Sequence, residues 1–158
     1  MAPKRTQRPT GHSTQSGDLL SLQRNGIAST SEPRGPMSDE DAQRLARRCR
    51  EAAIEKKGED VVLLDIRKRA AFADYFVLVT GRSLIQVRAI ADGIVEQTEI
   101  EAGAPIRTEG YSDGNWVLID YGPVIVHVFT RQAREFYNLE RLWGKAQPTP
   151  KTRDSWRR

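Results

Sequence analysis

Regular recurrence of hydrophobic positions begins in this chain only near residue 38. From there Leu45, Ala46, Cys49 and Ala53 fall at helical spacing. Ser38 stands where an N-cap belongs, Asp39, Glu40 and Asp41 occupy the positive end, and Asp41 approximates the acidic member of a capping box. Lys56 and Lys57 are expected in the last turn, with Gly58 ending the helix. Val61–Ile66 is then apolar apart from Asp65, and Tyr75–Thr80 forms a second such run. Runs apolar on both faces predict strands covered on much of both sides.

Gly81-Arg82-Ser83 turns the chain into a second helix. Ser83 caps it, Gln86 is the capping-box partner, and Val87, Ile90, Ala91, Ile94, Val95 and Thr98 make one stripe. Gly103 and Pro105 stop it. Strands are expected near 106–110, 116–121 and 124–129, a short helix near 132–138, and an ordered aromatic stretch to Trp143. The order predicts an α/β domain over 38–144, with helices packed on a mixed five-stranded sheet.

The rest of the chain lacks this periodicity. Residues 1–37 are rich in Ser, Thr, Arg, Gly and Pro and read as a disordered basic arm. Few acids and many Ser and Arg also fit an organellar transit peptide, and a start at Met37 is a third reading. Residues 145–158 read as a basic disordered tail. Charge divides along the same lines. Of 25 Lys and Arg and 21 Asp and Glu, five and two precede residue 37, and five and one follow residue 144. That leaves 15 basic and 18 acidic side chains in the middle, so the sequence pI of 9.5 belongs to the tails. A mildly acidic domain suits a basic protein partner, while the tails suit RNA. Cys49, the single cysteine, fits a reducing compartment, and no apolar run reaches membrane-spanning length.

Candidate chemistry is sparse. Gly81, Arg82 and Ser83 at a helix N-terminus could receive a phosphate, but one Gly and one Ser fall short of a phosphate-loop pattern, and a tight turn with a cap is the favoured account of them. A two-metal nucleotidyltransferase needs paired carboxylates after such a turn. Asp92 lies nine residues beyond Ser83, but its expected partner position holds Ile94, so that reading fails on residues. His127 alternates with Val126 and Val128, lacks a nucleophile to activate, and is expected to be partly buried and hydrogen-bonded within the sheet. With His12 in the arm as the other histidine, a metal site has no ligand set. Asp65, Asp74 and Asp120 stand at strand ends, where Asp120 also fits a turn role before Tyr121-Gly122-Pro123. Trp116 shares a strand face with Leu118 and Asp120, a pairing typical of recognition surfaces. Phe129, Phe136 and Leu142 are therefore assigned to the core, and Trp116, Asp120, Tyr121 and Tyr137 to a partner.

ADYFVLVTGRS at 73–83, the Glu109-Gly110 pair, WVLIDYG at 116–122, VHVF at 126–129 and REFYNLERLW at 134–143 occur in an order that resembles the ribosomal silencing factor, or Iojap, family. The resemblance covers about 38–144 and leaves both ends outside it. It implies a nucleotidyltransferase-like fold without the catalytic carboxylates, no enzymatic activity and no cofactor. It also implies binding to large-subunit ribosomal protein L-fourteen, steric blocking of subunit joining in starvation or late assembly, and homodimers when free. The residues expected to meet the partner are Asp74, Tyr75, Glu109, Trp116, Asp120, Tyr121 and Tyr137. A bacterial cytoplasmic protein is expected, with an organelle matrix or stroma as the alternative if 1–37 are a transit peptide. Two other readings compete: a nucleotide-binding enzyme using the Gly81–Ser83 turn, and a general RNA binder relying on Lys151, Arg153, Arg157 and Arg158.

Overall fold

The computed structural model describes residues 36–144. The expectations for the arm, His12 and the basic tail lie outside the described residues. The elements run α1 (Asp39–Glu55), β1 (Glu59–Asp65), β2 (Tyr75–Gly81), α2 (Leu84–Ala102), β3 (Arg107–Glu109), β4 (Trp116–Asp120), β5 (Val124–Thr130), α3 (Arg131–Tyr137) and α4 (Leu139–Trp143). The strands form one sheet in the order β1-β2-β5-β4-β3. Only β2 and β5 run parallel, and the other neighbours are antiparallel. The expected mixed α/β sheet is what forms.

Local chemistry sets the helix starts. The Ser38 hydroxyl accepts the Asp41 amide at 3.1 Å, and the Ser83 hydroxyl accepts the Gln86 amide at the same distance. The end of α1 differs from expectation. It closes at Glu55, so Lys56 and Lys57 lie beyond the last turn, and Lys57 rather than Gly58 takes the left-handed conformation, at φ 64°. Gly58 serves packing instead, because a Cβ there would stand 2.5 Å from Val79 Cγ1.

Alternation along the strands gives the sheet two unlike faces. One carries Tyr75, Val77 and Val79 of β2, Val117 and Ile119 of β4, and Val126 and Val128 of β5. Against it pack the apolar stripes of α1 (Ala42, Leu45, Ala46, Cys49) and α2 (Val87, Ile90, Ala91, Ile94). Each fully buried Val, Leu or Ile there contributes about 1.5–3 kcal/mol through removal from water, so this layer dominates stability. Cys49 sits inside it, and burial pushes its thiol up to about 12. The other face carries Leu64, Phe76, Leu78 and Phe129, and among the described residues the two short C-terminal helices lie on it, through Ala133, Leu139 and Trp143, beside Ala70 and Ala73 of the β1–β2 connection. β2 is buried along its whole length, as its apolar run requires. The edge strand β1 is only partly so, with an irregular register between Glu59 and Val62.

Candidate partner-docking face

β4 carries the site. Val117 and Ile119 are buried beneath the long helices, whereas Trp116, Leu118 and Asp120 are half-buried on the opposite face. Cross-strand register sets Trp116 beside Phe129, Leu118 beside His127, and Asp120 beside Ile125 on β5. On the outer side Glu109 of β3 is paired with Leu118, and Arg107 with Asp120. The result is a strip of apolar side chains with charged borders, lying between the C-terminal helices and the β3 edge.

Trp116 is held from three sides. Its indole packs at 5.1 Å from the Phe129 ring and 4.6 Å from Tyr137, and its Nε1–H donates to His127 Nδ1 at 3.1 Å. His127 is 4% exposed, and burial lowers its pKa to about 4, so the ring is neutral at pH 7. A neutral imidazole that accepts at Nδ1 carries its proton on Nε2, and Nε2 is buried without a hydrogen-bond partner. Such an orphan donor costs about 1–3 kcal/mol.

The hairpin that presents Trp116 is fixed by Gly110 and Arg88. Gly110 has φ 77°, and a Cβ there would fall 2.0 Å from the Trp116 carbonyl oxygen. From α2, Arg88 donates to the carbonyls of Tyr111 and Ser112 at 2.9 and 2.6 Å.

Of the residues expected to meet a partner, Trp116, Asp120, Glu109 and Tyr137 come together on or beside this strip, and Asp74 is half-buried just before β2. Asp120 is already engaged, accepting from Gly122 N–H at 2.7 Å and from Arg107 Nε at 3.1 Å. Two expectations are corrected. Tyr121 is 6% exposed beneath the long helices, because it shares parity with Val117 and Ile119 rather than with Trp116. Its hydroxyl lies 2.7 Å from that of Thr98, and burial pushes its pKa up to about 12. Tyr75 is likewise enclosed there, in register with Val124, with the Arg67 guanidinium 5.4 Å from its ring centroid.

The assignment of core aromatics is corrected as well. Phe129 is buried, but Phe136 is 81% exposed and Leu142 66%. In α3 the sheet-facing pair is Ala133 and Tyr137, and in α4 it is Leu139 and Trp143. That (i, i+4) spacing turns Phe136 and Leu142 outward. Sequence reasoning also missed Phe72, exposed in the β1–β2 connection with its ring 6.0 Å from Trp143. Its run of small and polar neighbours gave no periodicity to place it.

The Gly81–Ser83 turn is occupied from within. The Gln86 carboxamide oxygen accepts the Arg82 amide at 2.5 Å, and Arg82 Nε donates to Glu59 at 2.5 Å. Arg82, together with Arg131, holds the Glu59 carboxyl below the usual carboxylate range. A Cβ on Gly81 would lie 2.8 Å from Val87 Cγ2, so close packing accounts for the glycine. Asp65 is paired to Arg67 at 2.6 Å and Asp120 to Arg107, on different strands. Among the described residues no group of three His, Cys, Asp or Glu side chains is placed to hold a metal, and no helix is long and apolar enough to cross a membrane.

Residues 39–157 match the family described as "Ribosomal silencing factor during starvation". A ribosomal silencing factor of Bacillus subtilis is 42% identical over 95 residues, which cover 60% of this chain and 80% of that protein. The chloroplast protein Iojap of Zea mays is 32% identical over 135 residues, covering 83% of this chain and 59% of that one. A crystal structure of a protein from Chromobacterium violaceum superposes with a TM-score of 0.63 at 33% identity, over 68% of this chain and 89% of that chain. The motifs, the sheet and the matched span agree: this chain belongs to the ribosomal silencing factor family.

Proposed function

We propose that this chain represses translation by docking on the large ribosomal subunit, through ribosomal protein L-fourteen, so that the small subunit cannot join. The observation that carries this reading is the strip of Trp116, Leu118 and Ile125, half-buried on the face that the short C-terminal helices border, away from the long helices α1 and α2. Apolar side chains with an indole at the centre and charges at the rim are the anatomy of an interface core. The mildly acidic charge of the domain draws it towards a basic ribosomal protein, and burial of the indole then slows dissociation. The mechanism is steric and needs no bond to be made or broken. The basic ends add contact with ribosomal RNA, and the same strip serves self-association when the protein is free.

Sedimentation with isolated large subunits, beside a subunit-joining assay, tests this. Wild-type protein should co-sediment and inhibit joining, and Trp116→Ala should weaken binding about 30-fold or more while circular dichroism stays native. Undiminished co-sedimentation of the folded variant would remove the strip from the interface, and failure of the wild type to bind would remove the ribosome.

A further inference from the structure

His127 is an imidazole set among aromatic rings. It meets Phe76 edge-on at 4.8 Å between centroids, Phe129 in parallel at 5.9 Å and Trp116 at 5.8 Å. A phenylalanine could make the same ring contacts and would leave no unpaired Nε2–H inside the sheet. By packing alone the imidazole is the poorer choice, and it offers one thing that phenylalanine lacks. That is a lone pair on Nδ1, used by the Trp116 indole N–H at 3.1 Å. Where a side chain breaks a local rule without a structural gain, the gain lies in the site it supports.

The Trp116 indole needs such a support. It is half-buried at the surface end of β4, and the outer torsion of an aromatic side chain is broad and roughly two-fold. Its N–H only donates, so covering it without an acceptor would carry a desolvation penalty. Resting on the docking reading above, we propose that His127 is a positioning residue for the docking face: its Nδ1 fixes the orientation of the Trp116 indole and satisfies the indole N–H from inside. Two consequences follow from the geometry. The indole meets its partner already oriented, so little freedom is lost on binding. The partner's matching surface needs no hydrogen-bond acceptor for the indole, so a surface without one suffices to cover Trp116.

The test compares two substitutions of the full-length chain. Asn carries its carboxamide oxygen near the position of Nδ1, so His127→Asn keeps the acceptor, while His127→Phe keeps the ring and loses it. In ¹⁵N-labelled protein the Trp116 indole resonance is assigned by its disappearance in Trp116→Phe. It should stay at its hydrogen-bonded position in H127N and move in H127F. Binding to isolated large subunits should be near wild type in H127N and about tenfold weaker in H127F. H127F binding within twofold of wild type, with the indole resonance moved, overturns the positioning role. If H127F does not fold, H127N decides: loss of affinity with the indole bond intact overturns it, and retention of both supports it. Failure of the wild type to bind sinks the docking reading itself, a result distinct from either outcome for His127.

Discussion

The hydroxyls of Thr98 and Tyr121 lie 2.7 Å apart inside the helix-covered face of the sheet. Because the Thr98 hydroxyl also donates to the Ile94 carbonyl at 2.8 Å, it is the acceptor of the pair and Tyr121 the donor. This bond ties the end of β4 to the C-terminal part of α2. Tyr121→Phe should therefore lower stability by about 1 kcal/mol in urea denaturation and leave large-subunit binding unchanged. Weaker binding by a fully folded variant would return Tyr121 to the interface.

Arg134 is the clamp of the C-terminal helices. Its side chain, 11% exposed, donates to Glu140 at 2.6 and 2.8 Å, to the Thr80 hydroxyl at 2.9 Å and to the Asp60 carbonyl at 2.6 Å. Removing it leaves the Glu140 carboxylate without its cation. Arg134→Ala should cost about 2–3 kcal/mol. Amide hydrogen exchange should rise first in 131–143, ahead of the strands.

The hairpin glycine gives a steric prediction. Gly110→Ala places a methyl group against the Trp116 carbonyl in a backbone region that alanine disfavours. A loss of about 2 kcal/mol or more is expected, read as a fall in thermal midpoint. A variant with wild-type stability would mean that the hairpin adopts another turn.

His127 makes stability depend on pH. Its pKa of about 4 in the folded protein lies below the ordinary 6.5, so the unfolded chain binds this proton first as pH falls. The stability that a neutral ring provides is complete above about pH 6.5, falls below that, and is lost by about pH 4. Between pH 8 and pH 5 the wild type should lose about 2 kcal/mol from this group. His127→Asn should lose correspondingly less, and equal slopes for the two proteins would contradict the assignment.

Much of this was legible in the chain. Ser38 and Ser83 announce their helices because capping is local chemistry, and β2 reads as central because residues 75–79 are an unbroken apolar run. Gly110, expected as the last residue of a strand at 106–110, lies instead in a left-handed turn just past β3. Tyr121 was misplaced although its parity was available. Trp116 and Tyr121 are five apart and point to opposite faces, and aromatic type was allowed to outweigh that alternation. The bond between Trp116 and His127 was out of reach, because it depends on which residues of β4 and β5 stand opposite each other. Phe136 and Leu142 were misassigned because helices of 7 and 5 residues bury one short pair each, and composition does not say which.

The three-residue strand β3 has a consequence for how the family contact evolves. Arg107, Thr108 and Glu109 are all exposed, and so brief and charged an edge is a poor template for another strand. On the docking reading, a partner at the β3 side lies across the sheet rather than extending it there, and recognition is written in side chains instead of a shared backbone ladder. Affinity for the partner can then drift in small steps, one substitution at a time on either protein, without the register of either sheet having to change.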